Sequence, residues 1–239
     1  MLSSNGIRAI FFDLDGTLRH SLPLGGEVFA SYAAQLGLPL RDEDRLHAAR
    51  WEQLYWASSA DLDADLQKYR EENKAFWVNY SRRQLAALGA SSQQAEDLAL
   101  QVSDYMEQSY RPESVIPEDV LRVLPKLKGE GYKLGVISNR DKPYQQEIES
   151  LGIASYFVFS LAGGEVNAFK PDPQIFIHGC ERAEVSPPET VYVGDNYFAD
   201  VVGARRAGLQ PVLYDPRGIF PDADCAIIKS FDELPDILK

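Results

Sequence analysis

A chain of 239 residues suits one large domain, or a core domain with a smaller one attached. Its 45% hydrophobic and 25% charged residues exclude a disordered protein. A formal net charge of −12 argues against nucleic acid as a partner, because such binding runs on phosphate neutralisation; a small phosphorylated ligand needs only a local positive pocket or a metal ion.

Met1 to Arg8 has no basic start, apolar stretch or small-residue cleavage site. The apolar run Ala9–Phe12 is far too short to span a bilayer. Both features predict a cytoplasmic protein with no membrane partner. The same run, with Ile7 before it, reads as a short buried strand that stops at Asp13, and Gly16 marks the turn after it.

From Pro23 to Pro112 the pattern turns helical. Val28, Tyr32 and Leu36 mark one helix, and Leu46, Trp51 and Leu54 a second. Leu62, Leu66, Tyr69, Phe76 and Tyr80 fall on one long third helix, and Leu98, Val102, Tyr105 and Met106 on a fourth. All three tryptophans lie in this stretch, and the aromatics at helical spacing read as core. A bundle of about four helices is expected.

Beyond Glu113, strands and helices alternate. Pro117 opens a helix whose inner face is Val120, Leu121, Leu124 and Leu127. Lys133–Ser138 reads as a strand, Gln145–Leu151 as a helix, Tyr156–Ser160 as a strand, Gln174–Ala183 as a helix and Thr190–Gly194 as a strand. Asp200–Ala207 reads as a helix and Pro211–Tyr214 as a further strand. This alternation predicts an α/β fold: a Rossmann-like, mostly parallel sheet with helices on both faces. A lone N-terminal strand needs partners, so residues 1–22 are expected to join 113–239 in one α/β core, with residues 23–112 an inserted helical bundle. Cys180 and Cys225 make no disulfide framework or zinc spacing and read as buried thiols.

Three of these strands end in groups able to do chemistry: Asp13 with Asp15 and Thr17, Ser138 with Asn139, and Gly194 with Asp195 and Asn196. Ligands of open parallel sheets bind beyond the carboxyl ends of the strands, so these tips converge on one rim. Asp13 and Asp195 would repel each other there unless a cation lay between them, and an all-oxygen donor set suits Mg2+ rather than zinc. Lys170, followed by Pro171, offers a second positive charge.

FFDLDGT (Phe11–Thr17), ISN (Ile137–Asn139), FKPDP (Phe169–Pro173) and VGDNYFAD (Val193–Asp200) resemble, in order and spacing, the four motifs of the haloacid dehalogenase-like superfamily. The resemblance covers the α/β part, and the helical stretch corresponds to the superfamily's cap, inserted after the first motif. It implies a phosphatase acting on a small phosphorylated metabolite through an aspartyl-phosphate. Asp13 would be the nucleophile and Asp15 the acid, then base. Mg2+ would be held by Asp13, Asp15 through its backbone carbonyl, and Asp195. Lys170 would balance charge and, with Thr17, Ser138 and Asn139, meet the phosphoryl group; Asn196 and Asp200 would support the site.

Asp15 separates chemistries within the superfamily: an ester leaving group needs a proton and a halide does not, so the resemblance implies phosphoryl transfer. A mutase, a dehalogenase, a phosphonatase and a non-enzymatic phosphate-binding protein are the alternatives on the same scaffold. Asn167 stands where relatives carry glycine, and asparagine tolerates a left-handed backbone. Arg19, His20 and Arg140 adjoin the motifs and read as surface residues no less than as substrate contacts.

Overall fold

A computed structural model describes residues 6–239, so the first residues of the stretch read for export signals lie outside it. Strand β1 (Ala9–Phe12) is fully buried. After it come β2 (His20–Leu22) and five helices: α1 (Gly25–Gln35), α2 (Asp42–Trp56), α3 (Ala60–Lys68), α4 (Asn73–Ala87) and α5 (Ser92–Ser109). Then follow β3 (Glu113–Val115), α6 (Glu118–Gly129), β4 (Lys133–Ser138), α7 (Gln145–Ser150), β5 (Phe159–Ala162) and α8 (Gly163–Val166). The chain continues through α9 (Pro173–Ala183), β6 (Thr190–Gly194), α10 (Val202–Arg206), β7 (Gln210–Tyr214), β8 (Ala226–Ile228) and α11 (Leu234–Ile237).

Two compact units result. One holds the chain up to His20 and from Val115 to Lys239, the other Ser21–Ser114. In the first, six parallel strands lie in the order β5-β4-β1-β6-β7-β8. Strand alternation divides the apolar side chains between two cores. Ile10 and Phe12 pack with Val120, Val123, Leu124 and Leu127 of α6, whereas Ala9 and Phe11 pack with Ile175, Phe176 and Cys180 of α9. Helices therefore cover both faces, as the alternating pattern requires. β1 is central, and Phe12 pairs in register with Val136 of β4 and Val193 of β6. That register brings the carboxyl ends of three strands level with one another.

The second unit has its own core, in which Phe29, Ala33, Leu85, Leu88 and Val102 are buried together. Ser59 and Ser91 start α3 and α5 as caps, accepting from Leu62 N–H and Gln94 N–H.

Some elements differ from the sequence expectation. The long third helix is two helices, α3 and α4, broken over 69–72, so the unit has five helices. Leu121, expected on the inner face of α6, is exposed; Val123 takes that place. The strand expected at Tyr156–Ser160 begins at Phe159, after a single 3-10 turn. The helix expected over Asp200–Ala207 opens as a π turn at Tyr197–Val201 and becomes α10. Pro117 precedes its helix as the cap rather than opening it. Asn167 does adopt the left-handed conformation, with φ 49°. Cys180 is buried and Cys225 only half-buried, and both are free. Among the described residues no helix is long and apolar enough to cross a membrane.

Candidate active site

Asp13 follows β1 directly, and its N–H donates to Val193 O of the neighbouring strand at 2.9 Å. Lys170, distant in sequence, reaches it from the loop before α9: Nζ lies 2.5 Å from Asp13 Oδ1 and 2.7 Å from Asp200 Oδ1. Nζ also donates to the Tyr192 hydroxyl at 3.1 Å, which in turn donates to Ile137 O at 3.1 Å. Burial disfavours the charged form of Lys170, but the charges of Asp13 and Asp200 outweigh it and hold the ammonium well above the ordinary lysine range.

Carboxylate oxygens of Asp13, Asp195 and Asp200 all lie within 4.8 Å of one another. One ammonium faces three acids. Burial, then the neighbouring carboxylates, pushes Asp13 up to about 7, although Lys170 opposes the rise. The same two causes raise Asp195 well above the usual carboxylate range. Excess negative charge in a buried all-oxygen cluster is what a hard divalent cation would relieve, so these residues fit one.

The backbone is shaped for this crowding. Gly16 has φ +94°, and a Cβ there would stand 2.5 Å from Asp195 Oδ2. At Gly194 a Cβ would meet Asp200 Cγ at 2.3 Å. Asn196 then ties the loop down: its Oδ1 accepts from Phe198 N–H and Ala199 N–H at 3.0 and 2.9 Å, and its own N–H donates to Asp200 Oδ2 at 2.9 Å. The π turn that follows begins on this capped loop.

Asp13, Lys170, Asp195 and Asp200 therefore meet. Ser138 is buried at the end of β4, beside β1. Two other expected substrate contacts bond to neighbouring residues here. Thr17 Oγ1 donates to Asp195 Oδ1 at 3.0 Å. Asn139, expected at the substrate, spends its amide on Lys170: Nδ2 donates to Lys170 O at 2.8 Å, and Oδ1 accepts Lys170 N–H at 2.5 Å. It thereby fixes the segment that carries the lysine.

Asp15 is partly exposed, and two arginines hold it. Arg140 Nε and Nη2 donate to its Oδ2 at 3.0 and 2.9 Å, and Arg19 pairs with its Oδ1. Both arginines also bind Glu147, and Arg140 holds that carboxyl below its usual range. Arg19 and Arg140 are thus neither idle surface residues nor free to meet substrate in this arrangement. His20 faces the Tyr214 ring at 5.8 Å, and burial lowers its pKa. Sequence reasoning missed Tyr192 and Glu147: one sits inside an apolar strand and the other on a helix of mixed polarity, and only the tertiary fold points them here.

A six-stranded parallel sheet carrying an aspartate cluster and a lysine at its carboxyl rim defines a class of α/β hydrolase. The haloacid dehalogenase-like hydrolase family matches residues 7–208, and the chain belongs to that family. A glyceraldehyde 3-phosphate phosphatase of Methanopyrus kandleri is 30% identical over 240 residues, covering 96% of this chain and 91% of that one. A phosphoserine phosphatase of Thermus thermophilus is 28% identical, covering 90% and 91%. Among solved structures, a 2-haloacid dehalogenase from Pseudomonas syringae pv. Tomato DC3000 superposes with a TM-score of 0.55 at 29% identity, covering 97% and 98%.

Proposed function

We propose that this hydrolase is a Mg2+-dependent phosphatase that removes the phosphoryl group from a small phosphorylated metabolite through an aspartyl-phosphate on Asp13. The Lys170–Asp13 contact at 2.5 Å carries the reading, because it couples a buried carboxylate to a cation at the strand rim where ligands bind. An Oδ of Asp13 attacks phosphorus, the bond from phosphorus to the ester oxygen breaks, and Asp15 gives that oxygen its proton. Asp15, now a carboxylate, takes a proton from water as the water oxygen attacks the phosphorus of the intermediate. Inorganic phosphate leaves and Asp13 is restored.

Lys170 offsets negative charge on the nucleophile and on the phosphoryl oxygens, with Ser138 beside them. Asp13, Asp195 and the Asp15 carbonyl would hold Mg2+, which supplies charge neutralisation when bound. Asp200 and Asn139 keep Lys170 in place. Asp15 must leave Arg19 and Arg140, or carry them with it, to reach a leaving oxygen. We assign the choice of substrate to the helical unit.

The two curated relatives act, by their names, on small phosphate esters, which supports the substrate class. The dehalogenase likeness makes carbon–halogen cleavage the competing reading, and Asp15 speaks for the ester. The test is a panel of phosphate esters, including glyceraldehyde 3-phosphate and phosphoserine, assayed for inorganic phosphate with and without Mg2+, beside 2-haloacids assayed for halide. Mg2+-dependent phosphate release without halide release is expected. Halide release alone would replace the phosphatase reading.

A further inference from the structure

Within the helical unit lies a cavity of about 660 Å³, inside the range of about 300–1,000 Å³ usual for small-molecule sites. One wall is aromatic. The Trp56 and Trp77 ring centroids are 6.1 Å apart, and Tyr80 sits 5.4 and 5.6 Å from them. Both tryptophans stay substantially exposed, at 37% and 43%, although rings of this size gain most from burial. Of the aromatics at helical spacing that were read as core, Phe76 and Tyr80 are buried.

The floor of the cavity is polar. Ser81, Gln84 and Ser103 line it while being only 4%, 4% and 6% exposed. Their two hydroxyls and one amide are polar groups that can accept from a ligand's donors. Glu52 stands beside them. The point where a Cβ on Gly26 would lie is 3.1 Å from Glu52 Oε2 and 4.0 Å from Gln84 Nε2, so the missing side chain keeps this end open. Tyr80 donates its hydroxyl to the other Glu52 oxygen at 3.2 Å. Three charged residues line the cavity: Glu52, Glu107 and Lys74, the last ion-paired with Asp104 at 2.9 Å. An anion would meet both carboxylates against a single lysine that Asp104 already pairs. A cation would meet the same two carboxylates, three oxygen acceptors and the faces of the rings.

We propose that this cavity is a binding site for an organic ammonium ion, an amine carried on an apolar or aromatic body. The ammonium hydrogen-bonds to Glu52, the Gln84 carbonyl and the serine hydroxyls, and the body lies along Trp56 and Trp77. The site is built wholly from helical-unit residues, and binding there is measured without turnover, so its failure and that of the phosphatase reading are separate results.

All three tryptophans belong to this unit, so the intrinsic fluorescence of the full chain reports on it. The probe is 2-phenylethylamine, with the neutral 2-phenylethanol as its match in size, titrated by fluorescence and by calorimetry. The amine is expected to bind at least tenfold more tightly than the alcohol, and Glu52→Gln is expected to remove at least tenfold of that affinity. Should Glu52→Gln not fold, Trp77→Ala at its exposed position serves instead, again with an expected tenfold loss. No binding of the amine, equal binding of the two probes, or unchanged affinity in the folded variant would overturn the assignment.

Discussion

The Lys170 ammonium and the Asp13 carboxylate, 157 positions apart in sequence, share a hydrogen bond of 2.5 Å while both are almost wholly buried. Asp200 binds the same ammonium at 2.7 Å, and Tyr192 takes a third hydrogen bond from it. A lysine held on three sides has little freedom to rotate away, so its charge stays where the reaction needs it.

Replacing this lysine tests both stability and rate. Lys170→Met leaves Asp13 and Asp200 buried without their cation, which costs about 3–5 kcal/mol for a broken buried pair. It also removes charge stabilisation at the nucleophile, for an expected loss of about 10²–10³-fold in kcat. Thermal melts and steady-state kinetics read the two effects separately. Full activity in Lys170→Met would remove the lysine from the mechanism.

Crowding among the carboxylates gives the metal-free protein a particular pH dependence. Asp13 is raised from 3.8 to about 7, so the folded state keeps a proton that the unfolded chain releases near pH 4. The stability tied to this group is fully present below about pH 4 and is lost as pH rises through about 7. Asp195 adds to the same direction. In chelator, Asp13→Asn should therefore gain on the wild type as pH rises from 4 to 8, and added Mg2+ should restore the wild type at pH 8. Melting temperatures of the two proteins over this range provide the check; a gap that does not change with pH would contradict the assignment.

Gly16 is the tightest point of the loop. With φ +94° and a Cβ destined for 2.5 Å from Asp195 Oδ2, Gly16→Ala is strained both in its backbone and in space. A loss of about 1–3 kcal/mol is expected, together with weaker Mg2+ binding as Asp195 is displaced. Calorimetric titration of Mg2+ against the folded variant reads the second effect. Unchanged affinity would mean that the loop does not set the position of Asp195.

The strands of the site were legible because each is an apolar run cut off by a polar residue: Ala9–Phe12 before Asp13, Lys133–Ser138 before Asn139, and Thr190–Gly194 before Asp195. Parallel pairing then forces their tips together, which is why the meeting of Asp13 with Asp195 could be expected without coordinates. What stayed hidden is side-chain partnership. Nothing local tells Asn139 to spend its amide on the backbone of Lys170, or Thr17 to turn to Asp195. Arg140 reaches Asp15 across 125 positions, and no spacing rule encodes that. The break between α3 and α4 runs through Tyr69, Arg70, Glu71 and Glu72, none of them a helix breaker, so the sequence carries no stop signal there.

The central claim is the covalent role of Asp13, and trapping the intermediate tests it most directly. The enzyme is acid-quenched during turnover of a radiolabelled phosphate ester in Mg2+, and the label is mapped by peptide. The account predicts an acid-stable, hydroxylamine-labile phosphoryl group on the peptide carrying Asp13, absent from Asp13→Asn, which should also be inactive. Label on another residue, or full turnover by Asp13→Asn, would contradict it.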